Sequence, residues 1–91
     1  MYSLKYSKKF KKDLKKIARD NFNIKELENT LNLLIANKPL NKKYQNHKLH
    51  GEFRNCFECH IRPNILLIYE IDDYQKIIYL LRIGSHSELF G

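Results

Sequence analysis

From Ile65 to Ile71 the chain reads ILLIYEI, a nearly continuous apolar run. A strand with one wet face alternates apolar and polar residues, so a run without that alternation must be covered on both sides. It predicts a central strand with other strands beside it and layers above and below. Its neighbours fit. Pro63-Asn64 marks a turn, and the residues from about Arg54 to Arg62 before it read as a strand. After it, Asp72-Asp73-Tyr74-Gln75 reads as a hairpin turn, followed by a strand over Lys76 to Ile83 that Gly84 ends. The tail SHSELFG remains.

The first half supplies a covering layer. Over YSLKY, Tyr2, Leu4 and Tyr6 alternate with Ser3 and Lys5, as in a short strand. Ser7 is placed to cap a helix to about Arg19, with Phe10, Leu14, Ile17 and Ala18 on one face. Asp20 to Asn23 is a turn, and Asn23 with Glu26 forms a capping box for a second helix to about Asn37. That helix buries Leu27, Leu31, Leu34 and Ile35, and Lys38-Pro39 stops it. Residues 40–53 read as polar and irregular. The expected class is α+β: an N-terminal strand, a two-helix hairpin, then an antiparallel sheet, in the order β-α-α-β-β-β. There are no repeats or linkers, and 91 residues suit one domain over 1–91.

Charge narrows the partners. The formal net charge is +7. Residues 1–20 hold Lys5, Lys8, Lys9, Lys11, Lys12, Lys15, Lys16 and Arg19 against Asp13 and Asp20, so most of the excess lies in the first fifth of the chain. Two readings stay open for this run: a solvated helix face, or a surface that tracks phosphates. The balance favours an anionic partner, whether nucleic acid, acidic protein or membrane surface. No apolar run approaches the roughly 20 residues that span a bilayer. The start, MYSLKYSKKFKKDL, lacks the apolar core and cleavage site of a signal peptide. The expectation is a cytoplasmic protein with Cys56 and Cys59 reduced.

The stretch HKLHGEFRNCFECHIRPN, His47 to Asn64, concentrates reactive side chains. Within it Cys56-Phe57-Glu58-Cys59-His60 matches the CxxCH pattern of haem attachment, and its CxxC with His47-x-x-His50 could make a zinc site. Strand geometry argues otherwise. Side chains alternate faces, so residues three apart diverge. Cys59 then joins Phe57 and Ile61 on the core face as a small hydrophobe, while Cys56, Glu58 and His60 share the other face. The expectation is therefore no cofactor and no metal. A metal- or haem-binding protein is the alternative of a different class.

RNA can be cleaved without metal when its 2′-hydroxyl attacks the adjacent phosphate. Such a site needs a base near the 2′-oxygen, an acid near the leaving 5′-oxygen, and cations for the developing charge. Histidine suits both proton roles because its unperturbed pKa is about 6.5. His47, His50, His60 and His86 all lie after position 46. Spacing does not say which converge, and each alone reads equally well as a surface residue.

Four pieces in one register carry a family resemblance. They are Asn46-His47-Lys48-Leu49-His50-Gly51, Glu58-Cys59-His60-Ile61-Arg62-Pro63, Leu66-Leu67-Ile68-Tyr69, and Arg82-Ile83-Gly84-Ser85-His86-Ser87-Glu88-Leu89-Phe90. In these the chain resembles the YafQ branch of the RelE/ParE superfamily of bacterial toxins. The resemblance implies a RelE/ParE-like fold and a type II toxin–antitoxin toxin: an mRNA interferase, an endoribonuclease that cuts mRNA in the ribosomal A site. It also implies a cognate antitoxin, whose acidic segment would suit the basic face. It implies that His47, His60 and His86 are catalytic and that Arg82 lies near the scissile phosphate. The expected assignment of roles is His86 as acid, His47 or His60 as base, and Arg82 as electrostatic stabiliser. Phe90, Asn64 and Glu58 are the expected substrate-positioning residues. Lys8, Lys9, Lys12, Lys15, Lys16, Arg54 and Arg62 are the expected RNA and ribosome contacts.

Two positions depart from the family pattern. Asn64 stands where close relatives carry aspartate, and it can hydrogen-bond but cannot exchange a proton at ordinary pH. That aspartate is then positional, or Glu58 compensates, or activity is weaker. Ile65 stands where one branch has tryptophan. The nearest competing reading is a ParE-like toxin of the same fold that inhibits DNA gyrase, a branch with no use for the histidines. A basic RNA-binding module without catalysis is another.

Overall fold

The computed structural model describes residues 1–40, 42–49 and 55–91. Among them, five strands form one sheet in the order β1-β5-β4-β3-β2. These are β1 Ser3–Tyr6, β2 His47–Lys48, β3 Cys56–Arg62, β4 Ile65–Asp72 and β5 Ile77–Gly84. Three helices accompany them, α1 Lys8–Ala18, α2 Ile24–Ile35 and α3 His86–Phe90, with a 3-10 turn at Lys42–Tyr44. Only β1 pairs in parallel, against β5. The α+β class and the order strand, helices, antiparallel strands agree with the sequence reading. Among the described residues no helix is long and apolar enough to cross a membrane.

β4 lies at the centre of the sheet, as its apolar run predicts. Leu67 and Tyr69 join Phe10, Ile17, Leu27, Leu31 and Leu34 in the main core under α1 and α2. Leu66 and Ile68 face the other way and join Cys56 and Leu89 in a second, smaller cluster. On α1 the Ser7 hydroxyl accepts from the Phe10 N–H at 2.9 Å, which caps the helix. Phe10 and Ile17 are buried and Leu14 half-buried, whereas Ala18 is exposed. On α2 the Asn23 side chain accepts from Lys25 N–H at 3.0 Å, and Glu26 directs its carboxylate to Arg62. Thr30 adds to the buried face, its hydroxyl satisfied by the Glu26 carbonyl at 3.1 Å.

Two bulges shape the end of the sheet that carries the reactive residues. His60 pairs with Leu66 and Arg62 with Ile65, so Ile61 is the extra residue of β3. Ile68 pairs with Arg82 and Tyr69 with Leu80, so Leu81 is the extra residue of β5. A bulge resets the alternation and re-aims side chains. On β5 it lets Leu80 and Ile83 both join the main core, which leaves Arg82 out of it. Beyond Tyr6, opposite Leu80, β1 stops and α1 takes over the edge of β5. Ser7 donates its N–H to the Leu80 carbonyl at 3.0 Å and its hydroxyl to the Leu81 carbonyl at 2.8 Å. Ile83 N–H donates to Asp13 Oδ2 at 3.1 Å. These partners satisfy backbone groups that a missing strand would otherwise bond.

Besides the exposed Ala18, the structure departs from the sequence reading in three places. Residues 40–53 include the 3-10 turn, with Tyr44 buried, and β2, which pairs antiparallel with β3. The tail after Gly84 is helical: Ser85 and Glu88 form a reciprocal capping box that starts α3. A Cβ at Gly84 would come within 3.4 Å of both Glu88 and Leu89, so α3 packs close on the end of β5. The hairpin turn spans Asp73 to Lys76, a residue later than expected. Asp72 accepts from Gln75 N–H at 3.0 Å, and Lys76 takes the left-handed conformation at φ 58°. His50 and Arg54 lie outside the described residues, as does the expected start of β3 at Arg54.

Candidate active site

Register brings the reactive side chains into two rows. In the first, His47 lies opposite Glu58, Glu58 opposite Ile68, and Ile68 opposite Arg82. In the second, His60 lies opposite Leu66 and Leu66 opposite Gly84, from which Ser85 leads into His86. Directly opposed residues share a face. With strands about 4.8 Å apart, the first row spans roughly 14 Å.

Glu58 is the hub. Its side chain is 7% exposed, against 19% for His60 and 52% for His47. Its Oε1 lies 3.3 Å from His60 Nε2 and 3.6 Å from His47 Nε2. A buried carboxylate is costly unless paired, and two imidazole nitrogens face this one. His47 Nδ1 is 2.7 Å from the Gln45 carbonyl oxygen. A carbonyl only accepts, so Nδ1 carries the proton. In the neutral ring Nε2 then keeps its lone pair. The Tyr69 hydroxyl donates to Asn46 Oδ1 at 2.7 Å, which ties the approach to β2 onto the central strand. His60 Nδ1 is buried with no hydrogen-bond partner among the described residues.

His86 opens α3, exposed, its ring centroid 4.9 Å from that of Phe90 one turn on. Leu89 and the Lys16–Glu88 ion pair, 2.5 Å, hold this short helix in place. Glu88 also accepts from the Ser85 N–H at 3.1 Å and hydroxyl at 2.9 Å. The bond from Lys16, then those from Ser85, hold its carboxyl well below the usual range, at about 2. Asn64 is exposed in the β3–β4 turn and shares a cleft with Arg62, Ser85 and Glu88. Arg82 is gripped by Asp13, Nε to Oδ2 at 2.7 Å and Nη2 to Oδ1 at 3.1 Å. The structure thus gathers His47, Glu58 and His60 tightly, places His86 with Phe90, and sets Arg82 against α1.

The profile of a family described as bacterial toxin of type II toxin-antitoxin system, YafQ, matches residues 2–91. The chain belongs to the YafQ toxin family. It is similar to the mRNA interferase toxin YafQ of Escherichia coli strain K12, 33% identical over 89 residues that cover 97% of this chain and 95% of that protein. In structure it is similar to a metal-bound toxin from Helicobacter pylori, with TM-score 0.93 and 41% identity over 99% of this chain and 100% of that one. It is also similar to the toxin in the E. coli DinJ-YafQ complex, with TM-score 0.90 and 32% identity over the whole of both chains.

In this YafQ-family chain the CxxCH stretch is divided between two cores. Cys59 lies under the helices and Cys56 in the second cluster; both are free and buried. Burial, with a smaller push from Glu58, raises the Cys59 thiol to about 12. Burial also raises Cys56. Among the described residues no group of three His, Cys, Asp or Glu side chains is arranged to hold a metal. Of the expected RNA contacts, Lys8, Lys9, Lys12 and Lys15 are exposed on α1, while Lys16 pairs with Glu88. Arg62 makes two 2.9 Å bonds to Glu26 and lies 5.4 Å from the Phe22 ring centre. Sequence reasoning passes over the parts played by four residues that shape the site. Gln45 leaves no signal. Ser85-x-x-Glu88 is a legible capping pattern, and Asp13 stands out as the lone acid in a lysine-rich helix.

Proposed function

We propose that this chain is the toxin of a type II toxin–antitoxin pair and an endoribonuclease that cuts mRNA on the ribosome by metal-independent acid–base chemistry. The observation that carries this reading is Glu58, a buried carboxylate facing the Nε2 atoms of both His47 and His60. His47 serves as the base: Gln45 fixes its Nδ1 proton, leaving Nε2 to take the proton of the 2′-hydroxyl. Glu58 then stabilises the imidazolium that forms. The 2′-oxygen attacks phosphorus, and His86 donates a proton to the leaving 5′-oxygen. The products are a 2′,3′-cyclic phosphate and a 5′-hydroxyl. Arg82 stabilises the charged phosphorane. Phe90 and Asn64 position the substrate beside His86, and His60 acts through Glu58. The lysines of α1 track phosphates, with Arg62 at the edge of the site.

The partner reading follows from charge and from the DinJ-YafQ complex. An acidic antitoxin segment covers α1 and the site, and the ribosome competes for the same surface. The H. pylori toxin is metal-bound, which favours one rival reading, that this chain too takes a metal.

The test is induced expression of wild type and His86→Ala with mapping of mRNA 5′ ends. Growth arrest with new ends at a fixed place within codons, both lost in the variant, is the expected result. Arrest that survives the substitution without new RNA ends would remove the nuclease reading and favour gyrase.

A further inference from the structure

Asp13 is the one acid of α1, among six lysines, yet its carboxylate turns toward the sheet. Oδ2 takes Arg82 Nε at 2.7 Å and the Ile83 N–H at 3.1 Å, and Oδ1 takes Arg82 Nη2 at 3.1 Å. We infer that Asp13 is the positioning residue for Arg82: it fixes the guanidinium by one edge and thereby aims the rest of it at the reacting phosphate. This rests on the role given to Arg82 above.

The geometry supports positioning over simple sheet closure. A carboxylate needed only to close the edge of β5 would be served by the Ile83 amide. Here it also takes two of the five N–H donors of Arg82. Because a guanidinium is planar, holding Nε and Nη2 fixes its plane and the direction of its remaining donors. The Ile83 bond anchors the carboxylate to the same strand, one residue from the arginine, so the pair moves as a unit. Neither partner is a fully exposed surface charge: the side chains are 16% and 24% exposed, which spares the pair much of the solvent screening that weakens surface ion pairs. The site also needs the anchor. Arg82 sits at a bulge, outside the core, and a long unpaired side chain there would sample many rotamers. One turn further along α1, Lys16 holds Glu88, so the helix grips both ends of the segment from Arg82 to Glu88.

The experiment is a double-mutant cycle read as single-turnover cleavage of mRNA on programmed ribosomes, with substrate binding measured separately. Asp13→Asn is expected to lower the rate about 10- to 100-fold, the scale of a small misplacement of a catalytic group, with binding changed no more than about two-fold. In the Arg82→Ala background the same substitution is expected to cost nothing further. An equal loss in both backgrounds, or a wild-type rate for Asp13→Asn, overturns the inference. If Asp13→Asn fails to fold, Arg82→Lys tests the pair from the other side. It keeps the charge but not the two-point grip, and is expected to fall near the Arg82→Ala rate; a wild-type rate overturns the inference. Full activity of Arg82→Ala beside an inactive His86→Ala removes this inference and leaves the histidine chemistry standing. An active His86→Ala removes the proposed function itself.

Discussion

β3 meets two different environments on its two faces. Toward α1 and α2 it presents Phe57, Cys59 and Ile61 to the main core. On the other face Cys56 joins a small cluster with Leu66, Ile68 and Leu89, and Glu58 meets the two imidazoles. The first face is dry and apolar. The second runs from the buried Glu58 to the half-exposed His47 within 3.6 Å. Parity along one strand therefore separates an apolar packing face from one that holds a carboxylate against two imidazoles in partial burial.

The largest effect should come from damaging the dry face. Leu67, fully buried on β4, becomes a cavity in Leu67→Ala and should cost about 2–5 kcal/mol in urea unfolding. The cleavage rate per folded molecule should stay at the wild-type value. The converse substitution is Glu58→Gln, nearly isosteric on the other face. It should lower single-turnover cleavage about 10- to 100-fold, at or below the lower limit of what acid–base groups contribute because Glu58 acts through the imidazoles, with an unfolding midpoint unchanged or raised. A lower midpoint with an unchanged rate would make Glu58 a structural residue and dissolve the contrast between the faces.

The thiols sharpen the same comparison more gently. Cys56 and Cys59 lie in different clusters, and burial raises both pKa values, Cys59 to about 12. A thiol reagent at mild alkaline pH should label neither in the native protein and both after unfolding. An intramolecular disulfide formed under native oxidation would show that the strand does not hold them apart.

The smallest effect concerns α3. The folded Glu88 carboxyl is depressed from 4.5 to about 2. Its contribution to stability is thus present above pH 4.5 and lost as pH falls toward 2. Over that window wild type should lose more stability than Glu88→Gln, by a small margin because the pair is largely exposed. Identical acid limbs would mean that Leu89 alone docks the helix.

What was legible in the sequence divides along the same lines. The ILLIYEI run announces a strand covered on both faces, and alternation from Cys56 to Ile61 by itself separates the thiols. Helical spacing finds Phe10 and Ile17. The bulges at Ile61 and Leu81 escape, because a single extra residue leaves no compositional trace and shows only against its partner strand. β2 escapes because a two-residue strand exists only through its pairing with β3. The meeting of His47 and His60 at Glu58 depends on that register, and the Asp13–Arg82 bond spans 69 positions of chain. Spacing cannot reveal either.

The most direct test of the central claim is single-turnover cleavage of mRNA on programmed ribosomes by protein stripped of metal with EDTA, with chemical identification of the new ends. The ribosomes are supplied with magnesium afterwards, and transition metals are kept chelated. If Glu58, the histidines and Arg82 carry the reaction without a metal, cleavage should proceed at the untreated rate and leave a 2′,3′-cyclic phosphate and a 5′-hydroxyl. Activity that returns only when a transition metal is added, or a product with a 3′-hydroxyl, would contradict it.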